Sequence, residues 1–262
     1  MAKASSSAAS TITFHPAGHV LGSAQIAVAA NGTAASSPPA TTRTRADPTC
    51  APFELVPCDV FITEATFGLP VFRHGDADAR DRQAAALRCA LFPERAHLVG
   101  AYSLGKAQRV IALIRQAGYD KPIYLHGAME KITRYYAEPR HRARRAARRC
   151  SGAKKAELAG AITLCPPSAA VRTSGRGGFP IRSRAFASGW MRVRARARQR
   201  GVELPLVISD HADWDGLTAT IAATGAARDL GHARPGGRAG ALVHDARARG
   251  AAARHRRLRR RG

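Results

Sequence analysis

The sequence predicts an α/β protein, because short apolar strands, polar turns and amphipathic helices follow one another along the chain. An apolar strand at 98–101 leads into a helix that opens at Ser103–Lys106. A second apolar strand at 206–208 leads through a polar turn into a helix that begins at Trp214. Functional groups of α/β proteins gather at strand ends, so we expect the functional residues of this chain there.

The N-terminal elements are predicted to be two strands around a tight turn. Thr11–Phe14 form the first strand and Ala24–Ala29 the second. Residues 31–49 are rich in Ala, Ser, Thr and Pro without periodicity, and we expect a loop there. Val60–Thr63 then form a short buried strand that ends at Glu64.

Two more short strands are predicted in the middle of the chain, at 123–125 and 161–164. Long loops are expected at 139–152 and 171–184, which is unusual inside a compact domain. The helix that follows Lys106 should bury one apolar face, formed by Ala107, Val110, Ile111 and Ile114.

The composition excludes several classes of protein. The chain has 262 residues with 45% hydrophobic residues, which is enough for a sizeable core. It has no run of 18 apolar residues and no apolar signal-peptide segment near Met1, so we expect a cytoplasmic protein without a membrane partner. Its five cysteines are odd in number and form no Cys-x-x-Cys pair, which favours buried thiols over a disulfide or zinc framework.

The net charge of +24 points towards nucleic acid, because Lys and Arg release counterions from phosphates. The charge is concentrated in Ala- and Arg-rich blocks at 140–149 and 228–262. These blocks lack the interleaved aromatic residues of a stacking surface for single strands, so a solvated basic segment remains an alternative.

Three segments carry a resemblance to a known family. They are Phe14–Ala24 (FHPAGHVLGSA), Phe61–Gly68 (FITEATFG) and Ser209–Trp214 (SDHADW). In this order they resemble the β-CASP branch of the metallo-β-lactamase superfamily, and most closely its ligase-associated DNA exonucleases. The resemblance covers residues 12–228 with interruptions.

The resemblance implies a partial metallo-β-lactamase αβ/βα sandwich with an inserted β-CASP domain. We expect an N-terminal tail at 1–11 and a metallo-β-lactamase fragment at 12–67. The β-CASP-like insertion would span 68–190, and the chain would return to the first domain at 191–227. Residues 228–262 would form a basic, disordered tail.

The resemblance also assigns roles to three residues. His19 would be a metal ligand, Glu64 would support a histidine, and His211 would assist the leaving oxygen in phosphodiester cleavage. Local sequence alone leaves other readings open: a structural histidine for His19 and His211, and a capping or surface carboxylate for Glu64.

Ser103 and Lys106 form a weaker candidate site for substrate. A helix N-terminus with a nearby lysine suits a phosphate. The alternative is a plain N-cap and a solvated lysine. Gln108 belongs to the same weak set as Ser103 and Lys106. His126, Ser168 and Ala187–Met191 also resemble the family, and we assign them no catalytic role.

Most of the family's metal site is missing from this sequence. The family holds two Zn²⁺ ions, and only eighteen residues precede His19, none of which supplies a His-x-His-x-Asp-His motif. The later Gly-Asp-Tyr and Thr-His-Gly motifs are also absent. We therefore expect an incomplete zinc site with His19 as its ligand.

A reading-frame slip explains the two internal losses. Read from the last base of the Pro39 codon, permitted codons for Pro39–Arg43 spell Gly-Asp-Tyr-Lys. Read one base on from the start of the Leu230 codon, permitted codons for Leu230–Pro235 spell Trp-Val-Thr-His-Gly. Ala- and Arg-rich blocks are what a GC-rich gene yields off frame. Besides these two intervals, the candidate off-frame segments are 76–90, 140–149, 171–184 and the residues after 228.

The expected function is metal-dependent DNA exonuclease activity associated with ligation and repair, in a form that is inactive here. DNA is the expected substrate, and the resemblance suggests an ATP-dependent DNA ligase as partner. Two alternatives stay open: an RNA 3′-end processing nuclease of the same superfamily, and a non-catalytic basic remnant that binds nucleic acid.

Overall fold

The structure, a computed structural model, describes residues 10–30, 32–37, 47–75, 92–138, 148–149, 155–172 and 182–232. The chain divides into two compact units. The first unit consists of Met1–Ala46, Ala51–Arg73 and His211–Gly262, and the second of Asp47–Cys50 and His74–Asp210. Both hold a β-sheet, which confirms the α/β class. The assignment to metallo-β-lactamase and β-CASP domains stays a prediction.

The first unit contains a mixed five-stranded sheet in the order β1-β2-β3-β4-β11. Its first three strands are antiparallel, whereas β3, β4 and β11 run parallel. Helix α6 (Trp214–Thr224) adds Trp214, Leu217 and Ile221 to the core around Phe61. The strands are β1 (Thr11–Pro16), β2 (Ala24–Ala30), β3 (Thr33–Ser37), β4 (Val60–Glu64) and β11 (Arg228–His232).

The second unit contains a parallel six-stranded sheet in the order β10-β9-β5-β8-β6-β7. All five residues of β5 are buried, which is the pattern of a strand covered on both faces. The strands are β5 (Ala96–Gly100), β6 (Ile123–Leu125), β7 (Arg148–Arg149), β8 (Ile162–Cys165), β9 (Arg182–Ala187) and β10 (Leu204–Leu206).

The longest helix of the second unit is α1, Lys106–Gln116. It buries the predicted apolar face, which confirms that prediction. Gly105 precedes it at φ 74°, a left-handed conformation that glycine adopts without strain. The other helices are α2 (Gly127–Tyr136), α3 (Lys155–Leu158), α4 (Pro167–Arg172) and α5 (Arg194–Gln199), and 3₁₀ turns lie at Pro70–Phe72 and Gly189–Arg192.

Several sequence predictions are wrong in detail. The expected loop at 31–49 contains β3, whose small polar residues pair with β2 and β4 rather than marking a turn. The expected loop at 171–184 overlaps the end of α4 and the start of β9. The strand expected at 206–208 is β10, which ends at Leu206. The tail expected from 228 opens with β11, because backbone pairing with β4 outweighs its polar composition.

Buried thiols are confirmed for Cys50, Cys58 and Cys165. Burial raises the pKa of the Cys58 thiol, so that it stays protonated and unreactive. No helix among the described residues is long and apolar enough to cross a membrane. Most of the 140–149 block, the 76–90 block and residues 233–262 lie outside the described residues.

Candidate functional site

His19 lies in the turn that connects β1 to β2 in the first unit. The turn is closed by a hydrogen bond from the Ala17 N–H to the Ser23 carbonyl oxygen at 3.1 Å. The Ser23 hydroxyl accepts from the backbone N–H groups of His19 and Val20, both at 3.2 Å. Gly22 has φ 77°, so a side chain there would strain the backbone. The small residues that mark this segment in the sequence therefore set the course of the backbone around the histidine.

Glu64 is the last residue of β4, in the same unit. The Thr66 hydroxyl donates a hydrogen bond to its Oε1 atom. The side chain of Glu64 is 30% exposed. Its backbone faces His232 in the parallel register between β4 and β11. The end of this strand thus presents a carboxylate whose two oxygens are in different environments.

His211 joins these two residues in one cluster. Its Nδ1 atom lies 3.6 Å from Oε2 of Glu64, too long for a hydrogen bond but within range of an electrostatic contact. Its ring packs edge-on against that of His19, with centroids 5.1 Å apart. The ring of buried Phe67 also packs edge-on against His211, with ring centroids 6.2 Å apart and an interplanar angle of 90°. We call His19, Glu64 and His211 the histidine–carboxylate cluster.

The cluster combines two imidazoles and one carboxylate in a partly desolvated setting. A carboxylate beside an imidazole favours the protonated ring and fixes its tautomer. A protonated imidazole can bind a phosphate or donate a proton to an oxygen. The helix that follows is held in place by Asp213, which caps α6 by accepting from the N–H of Gly216 at 2.9 Å.

These residues do not by themselves fit a zinc centre. Zinc requires three or four protein ligands arranged around one point. Within the described ranges, no group of three or more His, Cys, Asp or Glu residues is arranged to hold a metal ion. The metal-ligand role of His19 therefore stays a prediction.

The structure places Ser103 and Lys106 in the second unit. Lys106 is buried, and its Nζ atom lies 2.9 Å from Asp210 Oδ2 and 3.2 Å from the carbonyl oxygen of Ile208. Ser103 is half-buried, and its carbonyl accepts from the Gln108 amide at 2.9 Å. The charge of Lys106 is thus satisfied internally, and the role of both residues in substrate binding stays a prediction.

Sequence reasoning missed Arg109, which carries the most buried charge of α1. Its guanidinium lies 3.2 Å from Asp47 Oδ2 and donates to the carbonyl oxygen of Ser209 at 2.6 Å. The arginine side chain is 1% exposed and that of Asp47 4%. An arginine among apolar residues on a helix face is the signal that would have indicated a buried partner.

Asp229 is another residue that sequence reasoning did not single out. It lies in β11 opposite Phe61, and both of its carboxylate oxygens are buried without a hydrogen-bond partner among the described residues. Burial raises its pKa to about 6. A carboxylic acid in this position is costly to ionise, because none of the described groups replaces the lost water.

The remaining sequence candidates, His126 and the Ala187–Met191 turn, lie in the second unit. His126 is exposed and caps α2 by accepting from the N–H of Ala128 at 3.2 Å. The hydroxyl of Ser188 likewise caps the 3₁₀ turn at Gly189–Arg192. Of the interval in which Gly-Asp-Tyr is missing, residues 38–46 lie outside the described residues, and so does the part of the last interval after His232.

Comparison with known proteins gives a distant relative. The chain is 25% identical over 229 residues to a protein of Opitutus terrae named "Probable DNA ligase". The match covers 84% of this chain and 21% of that protein, so the chain spans about a fifth of its relative's length. No protein-family model matches the chain.

A solved structure also resembles the chain. It is a protein of unknown function from Enterococcus faecalis V583, with a TM-score of 0.44 and 11% sequence identity. The alignment covers 83% of this chain and 56% of that one.

Proposed function

We propose that this chain is a DNA-processing polypeptide whose histidine–carboxylate cluster is part of a phosphodiester-cleaving site. The observation that carries the proposal is the 3.6 Å contact between Glu64 and His211, which stand in two motifs far apart in the sequence. The distant relative named as a DNA ligase supports a role on DNA. An association with a ligase partner is part of the same proposal.

In this proposal His211 holds the phosphate or protonates the leaving oxygen, and Glu64 keeps its ring oriented and positively charged. His19, packed against the same ring, fills the position of a metal ligand. No step is assigned to zinc, because the described donors do not complete a centre. We therefore expect DNA binding at this cluster and no zinc-dependent turnover by this chain.

The test is DNA binding and cleavage by the complete chain and by single-site variants. His211→Gln should weaken the binding of a short duplex by about tenfold below pH 6, since it removes one charge-assisted contact to phosphate. His126→Asn is the matched control, because it removes an exposed histidine of the second unit and asparagine keeps the helix cap. Fluorescence anisotropy measures both affinities.

One outcome would contradict the proposed binding site, and another would contradict the expected absence of turnover. Equal affinity of the complete chain and His211→Gln would remove the cluster from the binding site. Turnover of labelled DNA with stoichiometric zinc, abolished by EDTA, would show that the chain has a complete metal site. The same assay with matched RNA separates the alternative of an RNA 3′-end processing nuclease.

The second candidate function is non-catalytic binding of nucleic acid by the basic segments. The net charge of +24 favours it. It predicts binding that weakens steeply with salt and does not depend on His211.

A further inference from the structure

We propose that five exposed arginines on and beside helix α5 form a binding surface for the phosphate backbone of duplex DNA. This inference rests on the proposed function for the identity of its ligand, but it uses no residue of the histidine–carboxylate cluster. The surface lies within the second unit. We call it the arginine surface, and its members are Arg192, Arg194, Arg196, Arg198 and Arg200.

The geometry of α5 places arginines on both flanks of its buried residue, Ala197. Successive residues of a helix are rotated by about 100°, so residues at alternate positions fall on opposite flanks. Arg194 and Arg198 lie on one flank of Ala197. Arg196 and the C-cap residue Arg200 lie on the other. The helix therefore packs through a small residue and presents its cations to solvent on either side.

The arginines of the second flank are held against aromatic rings. The guanidinium carbon of Arg196 lies 4.1 Å from the ring centroid of Trp190, and that of Arg200 lies 5.2 Å from the ring centroid of Phe186. Such cation–π contacts order a guanidinium and leave its N–H groups able to donate. Because both rings contact the protein's own cations, they are not stacking platforms for unpaired bases. This arrangement favours a duplex over a single strand.

The positive charge of the arginine surface is not neutralised by described residues. None of its five members forms an ion pair with a residue that the structure describes. Residues 158–202 contain no Asp or Glu, and Glu203, the next acidic residue, contacts Arg95 and the backbone N–H of Arg184 instead. Like charges four residues apart on a helix repel each other, and two such pairs lie here. A polyanion that binds this surface relieves the repulsion.

The kind of cation points to phosphate. All five members are arginines, and the planar fork of a guanidinium matches two oxygens of one phosphate. Contacts of this kind position a protein on a duplex without reading its sequence. The surface also lies outside the candidate off-frame segments, so its charge does not depend on the reading-frame hypothesis.

The test is the salt dependence of duplex DNA binding by the complete chain, measured by fluorescence anisotropy. The variant is Arg194→Gln/Arg198→Gln, because this flank makes no aromatic contact among the described residues. Each lost phosphate contact reduces the slope of log affinity against log salt by about 0.9, so we expect a slope shallower by about 2. Arg194→Lys/Arg198→Lys keeps both charges and should keep most of the slope.

The matched control is Lys121→Gln/Lys131→Gln, which removes two exposed cations of the same unit outside the arginine surface. It makes the same change in net charge and should keep the slope of the parent chain. Urea denaturation checks that the test variant is folded. Arg194→Gln/Arg198→Gln should be at least as stable as the parent, since it removes a repulsive pair.

Two results would overturn the inference. Equal slopes for the arginine variant and the lysine control would show that DNA does not contact this surface. Binding to phosphatidylserine vesicles that is lost in Arg194→Gln/Arg198→Gln, with an unchanged DNA slope, would assign the surface to an anionic membrane. The His211→Gln variant tests the proposed function separately, because it leaves all five arginines in place.

Discussion

At the residue scale, the carboxylate of Asp229 is buried without a hydrogen-bond partner among the described residues. Its two oxygens are buried, and its partner in the strand register, Phe61, is fully buried. Backbone pairing places it there, since alternate residues of β11 face the same side as their partners in β4. No described side chain compensates it, so its ionisation should lower the stability of the folded chain.

The stability of the protein should therefore depend on pH through Asp229. Its pKa is about 6 in the folded chain and near 3.8 when unfolded, so the unfolded chain loses its proton first as pH rises. The free energy of unfolding should fall between pH 4 and pH 6 and level off above that. Asp229→Asn should remove this fall and be more stable than the parent at pH 7, as measured by urea denaturation.

The control for this prediction is Asp215→Asn, which changes an exposed carboxylate of the same unit. It should leave the fall between pH 4 and pH 6 in place. An unchanged pH dependence in Asp229→Asn would show that the carboxylate reaches water in the folded chain.

Asp229 also bears on the reading-frame hypothesis. If Leu230 is encoded by CTG, the frame one base on reads Ile or Thr from the last two bases of the Asp229 codon and the next base. Either residue would suit a buried strand position better than a carboxylate. The mismatch between side chain and position is what a frame slip near this point would produce. It supports the hypothesis without depending on any motif of the family.

At the scale of elements, two buried cations of helix α1 bind the segment that follows β10. Lys106 contacts Ile208 and Asp210, and Arg109 contacts Ser209 and Asp47. These contacts fix three consecutive residues that follow a strand without being part of it. Both charges therefore stabilise contacts within the second unit.

Removing either cation should destabilise the second unit strongly. Arg109→Met removes the guanidinium from the buried Asp47 carboxylate and the Ser209 carbonyl, and we expect a loss of about 3–5 kcal/mol. Lys131→Met on α2 is the control, since Lys131 is exposed and should change stability by less than about 0.5 kcal/mol. Urea denaturation followed by circular dichroism measures both.

The double variant Arg109→Met/Asp47→Leu completes this test. It should regain part of the loss, because an apolar pair of similar size leaves no buried charge. A loss below about 1 kcal/mol in Arg109→Met alone would show that water replaces the missing guanidinium.

At the scale of the whole molecule, charge is the dominant property. Residues 233–262 contain ten arginines and one acidic residue. If this segment neutralises phosphates, DNA affinity should fall steeply with salt, and a variant that ends at His232 should show a shallower slope on a log–log plot. Anisotropy titrations between 50 and 200 mM salt measure both slopes. Equal slopes would mean that the segment takes no part in binding.

The gene itself provides a second test at this scale. We expect that sequencing it with its flanks and translating all frames will show single-base shifts near codons 39–43 and 230–235. Those shifts should restore Gly-Asp-Tyr and Thr-His-Gly in one continuous frame. An unbroken frame with the present residues would leave the zinc site incomplete in the gene as well, and would favour the non-catalytic binding protein.

The sequence by itself determined the α/β class, the apolar face of α1 and the residues of the cluster, because periodicity and short motifs are local properties. It did not reveal β3 or β11, whose polar residues become strands only when neighbouring strands supply hydrogen bonds. The family resemblance already implied that Glu64 supports a histidine, but the internal use of Lys106 and the burial of Asp229 were decided by tertiary structure alone. Each depends on which residues, distant in the chain, share a low-dielectric environment, and no local pattern encodes that.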